Sequence, residues 1–176
     1  NLFAGSFRRP PIYPIVLALG YAIFGEHLRV VWGIHFILWM LVLFVLWLVS
    51  KRFLRGTYAL VPPLLFGLWW GASVHIFIMS PEILAMLTVL LFVYYALRYG
   101  EEQNTRFMFF AGLSVSYLIL IKPVFLYLVP LAVVLFLFQY RLSFWRVILF
   151  ALPILVLAGS LSLYSKRVFG TYELAS

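Results

Sequence analysis

Three ionisable side chains, Arg9, Lys122 and Glu82, stand where so apolar a chain has least use for charge. Arg9 belongs to Arg8-Arg9-Pro10-Pro11, whose prolines stiffen the backbone and bias Arg9 toward an extended conformation that fixes where its guanidinium points. A guanidinium held in this way can grip a phosphate with a bidentate fork; the alternative is an ordinary interfacial cation against lipid head groups. Lys122, with Pro123, joins two apolar stretches of 15 residues each. An ammonium at such a place needs an anionic partner or a wet cavity, which makes it a functional candidate, with snorkelling of its long stem to the surface as the bland reading. Glu82 follows Ser80-Pro81 and opens a helix. It either serves the helix dipole as a first-turn acid or acts as a metal ligand, a salt-bridge partner for Lys122 or an orienting group for an acceptor.

The elements that must carry these residues are set by composition. Of 176 residues, 66% are hydrophobic and only 10% charged, which excludes a water-soluble globule. There is no Asp and no Cys, so paired-aspartate catalysis, zinc clusters and disulfide frameworks are absent from this stretch. The net charge of +8 is spread in ones and twos between apolar runs and forms no stripe, so the negative partner expected is lipid phosphate and not nucleic acid. No initiator Met, charged n-region or cleavage site is present at Asn1, so the chain reads as a piece of a longer protein.

A hydrocarbon core of ~30 Å takes about 20 apolar residues as helix. Six stretches approach this: Val30 to Val49, Tyr58 to Met79, Ile83 to Leu97, Phe107 to Ile121, Val124 to Phe138 and Val147 to Leu163. A seventh, Ile12 to Phe24, is too short and carries Pro14 near its start, which fits an interfacial or re-entrant helix. The expected fold is all-α, a polytopic transmembrane bundle of about six spans plus one interfacial helix. Residues 1–29 would end an external loop and hold the interfacial helix, 30–163 form the bundle, and 164–176 begin another external loop.

One set of loops holds Lys51, Arg52, Arg55, Arg98, Arg106, Arg141 and Arg146; the other holds Arg8, Arg9, Arg29, Lys122, Lys166 and Arg167. The compact Lys51-Arg52-Arg55 cluster after the longest clean span marks the first set as cytoplasmic and puts both chain ends outside. His35 and His75 are read as hydrogen-bonded packing residues, and Gly112, Ser114 and Ser116 as sites of close helix packing. Glu101-Glu102-Gln103-Asn104 reads as a solvated loop. No Ser/His/Asp set, phosphate-cradling glycine loop or metal-ligand cluster occurs.

Taken in order, the segments resemble the GT-C superfamily of polyprenyl-phosphate-dependent membrane glycosyltransferases, above all the protein O-mannosyltransferase group and the lipid A aminoarabinose transferase. Arg9-Pro10-Pro11-Ile12-Tyr13-Pro14, running on to Phe24-Gly25, is similar to the basic-Pro-Pro-x-Tyr-Pro segment and Phe-Gly that close that family's first external loop. Ser80-Pro81-Glu82 resembles its Thr-Glu-Pro with Pro and Glu exchanged, and Ile121-Lys122-Pro123 its Thr-Lys-Gly or Thr-Arg-Pro turn. Phe169-Gly170-Thr171 resembles the Phe-Gly of a later exit loop, although Tyr164-Ser165 stand where the family often has Arg-Asn and the basic pair is displaced to Lys166-Arg167.

The resemblance implies an integral membrane enzyme, in a bacterial inner membrane, that inverts the anomeric carbon of a sugar taken from a polyprenyl phosphate or pyrophosphate. Transfer would be to a glycan, lipid or protein acceptor on the extracytoplasmic side. Arg9 and Lys122 would contact the donor phosphate, with Arg8, Tyr13, Glu82, Lys166 and Arg167 as further candidates. The family's catalytic base, an acid after its first span, would lie upstream of Asn1. No cofactor is required by the residues; a divalent cation, with Glu82 as its one candidate ligand, stays open. The competing readings are a polyprenyl-lipid transporter or flippase whose cavity binds the same phosphate, and a scaffold subunit of a membrane complex.

Overall fold

A computed structural model describes residues 10–140 and 144–169. Among them every regular element is helical: α1 (Ile12–Phe24), α2 (Leu28–Ser50), α3 (Val61–Leu68), α4 (Trp70–Ser73), α5 (Glu82–Glu102), α6 (Thr105–Ile121), α7 (Leu128–Tyr140) and α8 (Phe144–Phe169). Short 3-10 turns at Gly56–Leu60, Val74–Ile76 and Pro123–Tyr127 join them. The protein is therefore an all-α membrane bundle. Leu28–Ser50, Glu82–Glu102 and Trp145–Arg167 are long and apolar enough to cross a bilayer, and the pair Gly56–Leu68 and Trp70–Ile76 adds a fourth crossing if taken as one span. Ile12–Phe24, Thr105–Ile121 and Pro123–Val134 are apolar but shorter.

The chain divides into two compact units, one of residues 13–94 and one that joins the described residues ahead of Tyr13 to those from Tyr95 onward. In the first, α1 ends at Gly25, whose φ of 84° is a conformation that only glycine adopts cheaply, and the chain turns into α2. Leu17 and Gly20 face inward while Ile15, Leu19 and Ile23 face out. At Gly20 a Cβ would stand 2.4 Å from the Ile34 side chain, so glycine is what lets α1 lie against α2. Trp39, Val42 and Val45 of α2 then pack on Ala72, Ile83 and Leu87 to make this unit's core.

The run from Tyr58 to Met79 does not make one straight helix. Pro62 lies in the first turn of α3, where a missing N–H costs nothing, but Trp69 leaves helical geometry at φ −73° and ψ 108°. The segments on either side meet at 63°. Gly67 and Gly71 flank the break and weaken the helix on both sides of it. The carbonyl of Trp69 is re-used: the Ala72 and Ser73 amides and the Ser73 hydroxyl all donate to it, at 3.1, 3.1 and 3.0 Å.

In the second unit α6 and α8 form the main packed pair. The Arg146 guanidinium, near the start of α8, donates to Tyr99 Oη at 2.9 Å and to Gln103 Oε1 at 3.4 Å, just ahead of the start of α6. Both helices thus leave from one end and run the same way. Gly112 sits against the backbone of α8, where a Cβ would come within 2.1 Å of the Phe150 carbonyl oxygen. Ser114 and Ser116 donate to the carbonyls four residues back, Phe110 and Gly112, at 2.9 and 2.8 Å, so neither hydroxyl costs the apolar contact an unmet hydrogen bond.

Two expected loops are helical. α5 continues through Glu101 and Glu102, because Arg98 and Glu102 pair one turn apart and Tyr99 is buried. The turn into α6 is only Gln103, at a positive φ of 54°, and Asn104, whose side chain caps α6 by accepting from the Arg106 amide at 3.1 Å. α8 runs on to Phe169, which sets Lys166 and Arg167 on its last turn, where cations suit the helix dipole.

Candidate functional site

Around the Leu28 end of α2, the first unit gathers side chains from three stretches of sequence. Tyr13, one residue into α1, donates its hydroxyl to His35 Nε2 at 3.0 Å, and the two rings stack at 5.8 Å and 30°. His35 Nδ1–H in turn donates to the Ile76 carbonyl at 3.2 Å, which fixes the tautomer. His35 is fully buried, and both of its ring nitrogens are used. The next residues complete the group: His75 Nδ1 lies 3.3 Å from Ser80 Oγ, and Glu82 opens α5 with its Oε2 shielded from solvent. Burial, followed by the charges of Tyr21 and Glu82, pushes the Tyr13 phenol up to about 12, so it stays a donor throughout the physiological range.

Sequence reasoning saw Tyr13 and Glu82 as candidates and His35 as a packing residue; it missed that His35 joins the Tyr13 segment to the turn ahead of Glu82. The one signal available was the burial cost of an imidazole in an apolar helix, which demands partners without naming them.

Lys122 lies in the second unit. It ends α6 in an extended conformation, φ −146° and ψ 107°, with its amide on the Leu118 carbonyl at 2.9 Å and its own carbonyl accepting from the Phe125 amide at 3.1 Å. Pro123 then starts the 3-10 turn, since proline at a first helical position gives up no bond. The backbone is thereby held at a helix break, and the lysine side chain is half-buried there. Lys166 and Arg167 are exposed on the last turn of α8, toward the same end of the α6 and α8 pair as Lys122. Arg8 and Arg9 lie outside the described residues. Among the described residues no three His, Cys, Asp or Glu side chains gather as a metal site, Glu82 included.

This geometry defines a class: a polytopic helical membrane protein with a half-buried lysine at a helix break and a hydrogen-bonded Tyr-His cluster. The family model of the dolichyl-phosphate-mannose-protein mannosyltransferases matches residues 8–165, and the chain belongs to that family of GT-C membrane glycosyltransferases. No curated protein and no solved structure matches the chain.

Proposed function

We propose that the protein takes a sugar from a polyprenyl phosphate or pyrophosphate and passes it to a glycan, lipid or protein acceptor on the extracytoplasmic face of a bacterial inner membrane. Arg9 and Lys122 hold the donor phosphate. The observation that supports this most is Lys122, a half-buried cation on a backbone pinned by two hydrogen bonds, in a chain of this family. As the bond from the anomeric carbon to the phosphate oxygen breaks, its electron pair passes to the phosphate. Fixed cations in a poorly hydrated site stabilise that growing charge without having to reorganise. The acceptor oxygen attacks from the opposite side, which inverts the anomeric carbon, and its proton goes to a general base.

The test is transfer of labelled sugar from a polyprenyl-phosphate donor by the full-length protein in proteoliposomes. Lys122→Ala should lower kcat/KM by roughly a hundredfold or more, as loss of one fixed transition-state contact does. Lys122→Arg should keep part of the activity. Normal turnover by Lys122→Ala would overturn the phosphate assignment. Movement of the donor lipid across the bilayer with no transfer would replace the enzyme with a lipid carrier.

A further inference from the structure

The Tyr13-His35-Ile76 chain of hydrogen bonds joins residues that are far apart in sequence, by 22 positions on one side of His35 and 41 on the other. What those partners lead to gives the link its meaning. Tyr13 stands one residue into α1 and is itself a candidate for the donor site. Ile76 begins the stretch that contains Ser80 and Glu82, and His75 beside it is itself bonded to Ser80. Packing alone would be satisfied by a leucine at position 35. A buried imidazole with a donor on one side and an acceptor on the other is instead a directional joint, since each bond is lost if either segment shifts by about an ångström.

We infer that His35 is a positioning residue for glycosyl transfer: through Tyr13 and the Ile76 carbonyl it sets Tyr13, at the start of α1, in register with the Ser80-Glu82 turn. The inference rests on the glycosyltransferase reading above. His35 itself touches neither donor nor acceptor. Its part is to remove freedom from two segments that would otherwise lose alignment, and small misplacements of groups at a reacting centre are costly.

Amide side chains separate the two bonds. Asparagine places its NH2 near the position of Nδ1 and keeps the bond to Ile76 while losing Tyr13; glutamine places its carbonyl near Nε2 and keeps Tyr13 while losing Ile76. His35→Asn, His35→Gln and Tyr13→Phe would be compared in the full-length protein with the transfer assay and a thermal unfolding curve. His35→Asn and Tyr13→Phe should each lower kcat by roughly ten- to hundredfold, and the double variant should be no worse than the weaker single, because both remove the same bond. His35→Gln, which cuts the joint on its Ile76 side, should lower kcat to a similar extent. Variants that melt earlier yet keep the parental kcat and KM would overturn the inference, as would losses that simply multiply in the double variant. In either case the parent and Lys122→Ala still report on the proposed activity. A parent protein that transfers no sugar from the polyprenyl donor would remove the proposed function and this role with it.

Discussion

At the scale of single residues, the cations sort by what they touch. Arg146 donates to Tyr99, which is fully buried, and Arg98 pairs with Glu102 and lies 4.8 Å from the Phe107 ring. Lys51 and Arg52 lie over the rings of Trp47 and Tyr94 at 4.5 and 5.7 Å. These are structural uses of charge, in which the stem packs and the head meets a ring or a hydroxyl. Arg146→Ala should therefore destabilise the protein by about 1–3 kcal/mol, the cost of robbing a buried hydroxyl of a partner, and leave the KM for donor unchanged. Thermal unfolding in detergent and donor saturation curves would check both halves, and a raised KM would move Arg146 into the site. The places of these residues were legible in the sequence: a lysine beside a proline between apolar stretches, and an acid after Ser-Pro that opens a helix. The partner of His35 was not, because a bond between positions 13 and 35 exists only once α1 has packed on α2 through Gly20.

At the scale of elements, apolar runs located the helices but not their ends. The run Ile83 to Leu97 gives α5 only in part, since the helix continues for a further turn on the Arg98 and Glu102 pair and a buried Tyr99. Hydropathy counts charges against a span and is blind to charges that satisfy each other. It is equally blind to the break at Trp69, because every residue from Val61 to Trp70 is apolar or glycine and only backbone geometry separates α3 from α4. Small residues were the better guide. Gly112 marks the face of α6 that meets α8, and in lipid, where apolar side chains gain little by leaving solvent, close approach itself is the attraction. Gly112→Ala should cost about 1–3 kcal/mol or more, since its methyl would meet a backbone carbonyl that cannot swing aside. Gly159→Ala on α8 meets nothing within 4 Å and should be neutral or slightly stabilising, by up to about 1 kcal/mol. Unfolding curves of the two variants in detergent check the pair; equal stability would remove the close contact from the account.

At the scale of the whole molecule, fold class was legible because 66% apolar content with long aliphatic runs admits few alternatives. Sidedness was not, since cations are shared almost evenly between the two sets of loops. These 176 residues contain no cysteine, so introduced single cysteines provide a test. With the Lys51-Arg52-Arg55 cluster in the cytoplasm, a single cysteine at Glu101 should react only with reagent admitted from the cytoplasmic side, and one at Ser80 only from the opposite side. Labelling of both from one side would mean that α5 does not cross. Labelling of each from the reverse side would invert the orientation and place the proposed transfer on the cytoplasmic face.

The contact between Gly112 and Phe150 also orders events while the protein is being made. α6 is only 17 residues long, short of the about 20 that a hydrocarbon core takes. The backbone it packs against is encoded 38 positions later, at Phe150, and reaches the membrane only after the Lys122 turn and α7 have been synthesised. The close contact that α6 makes through Gly112 can therefore form only after α8 has arrived.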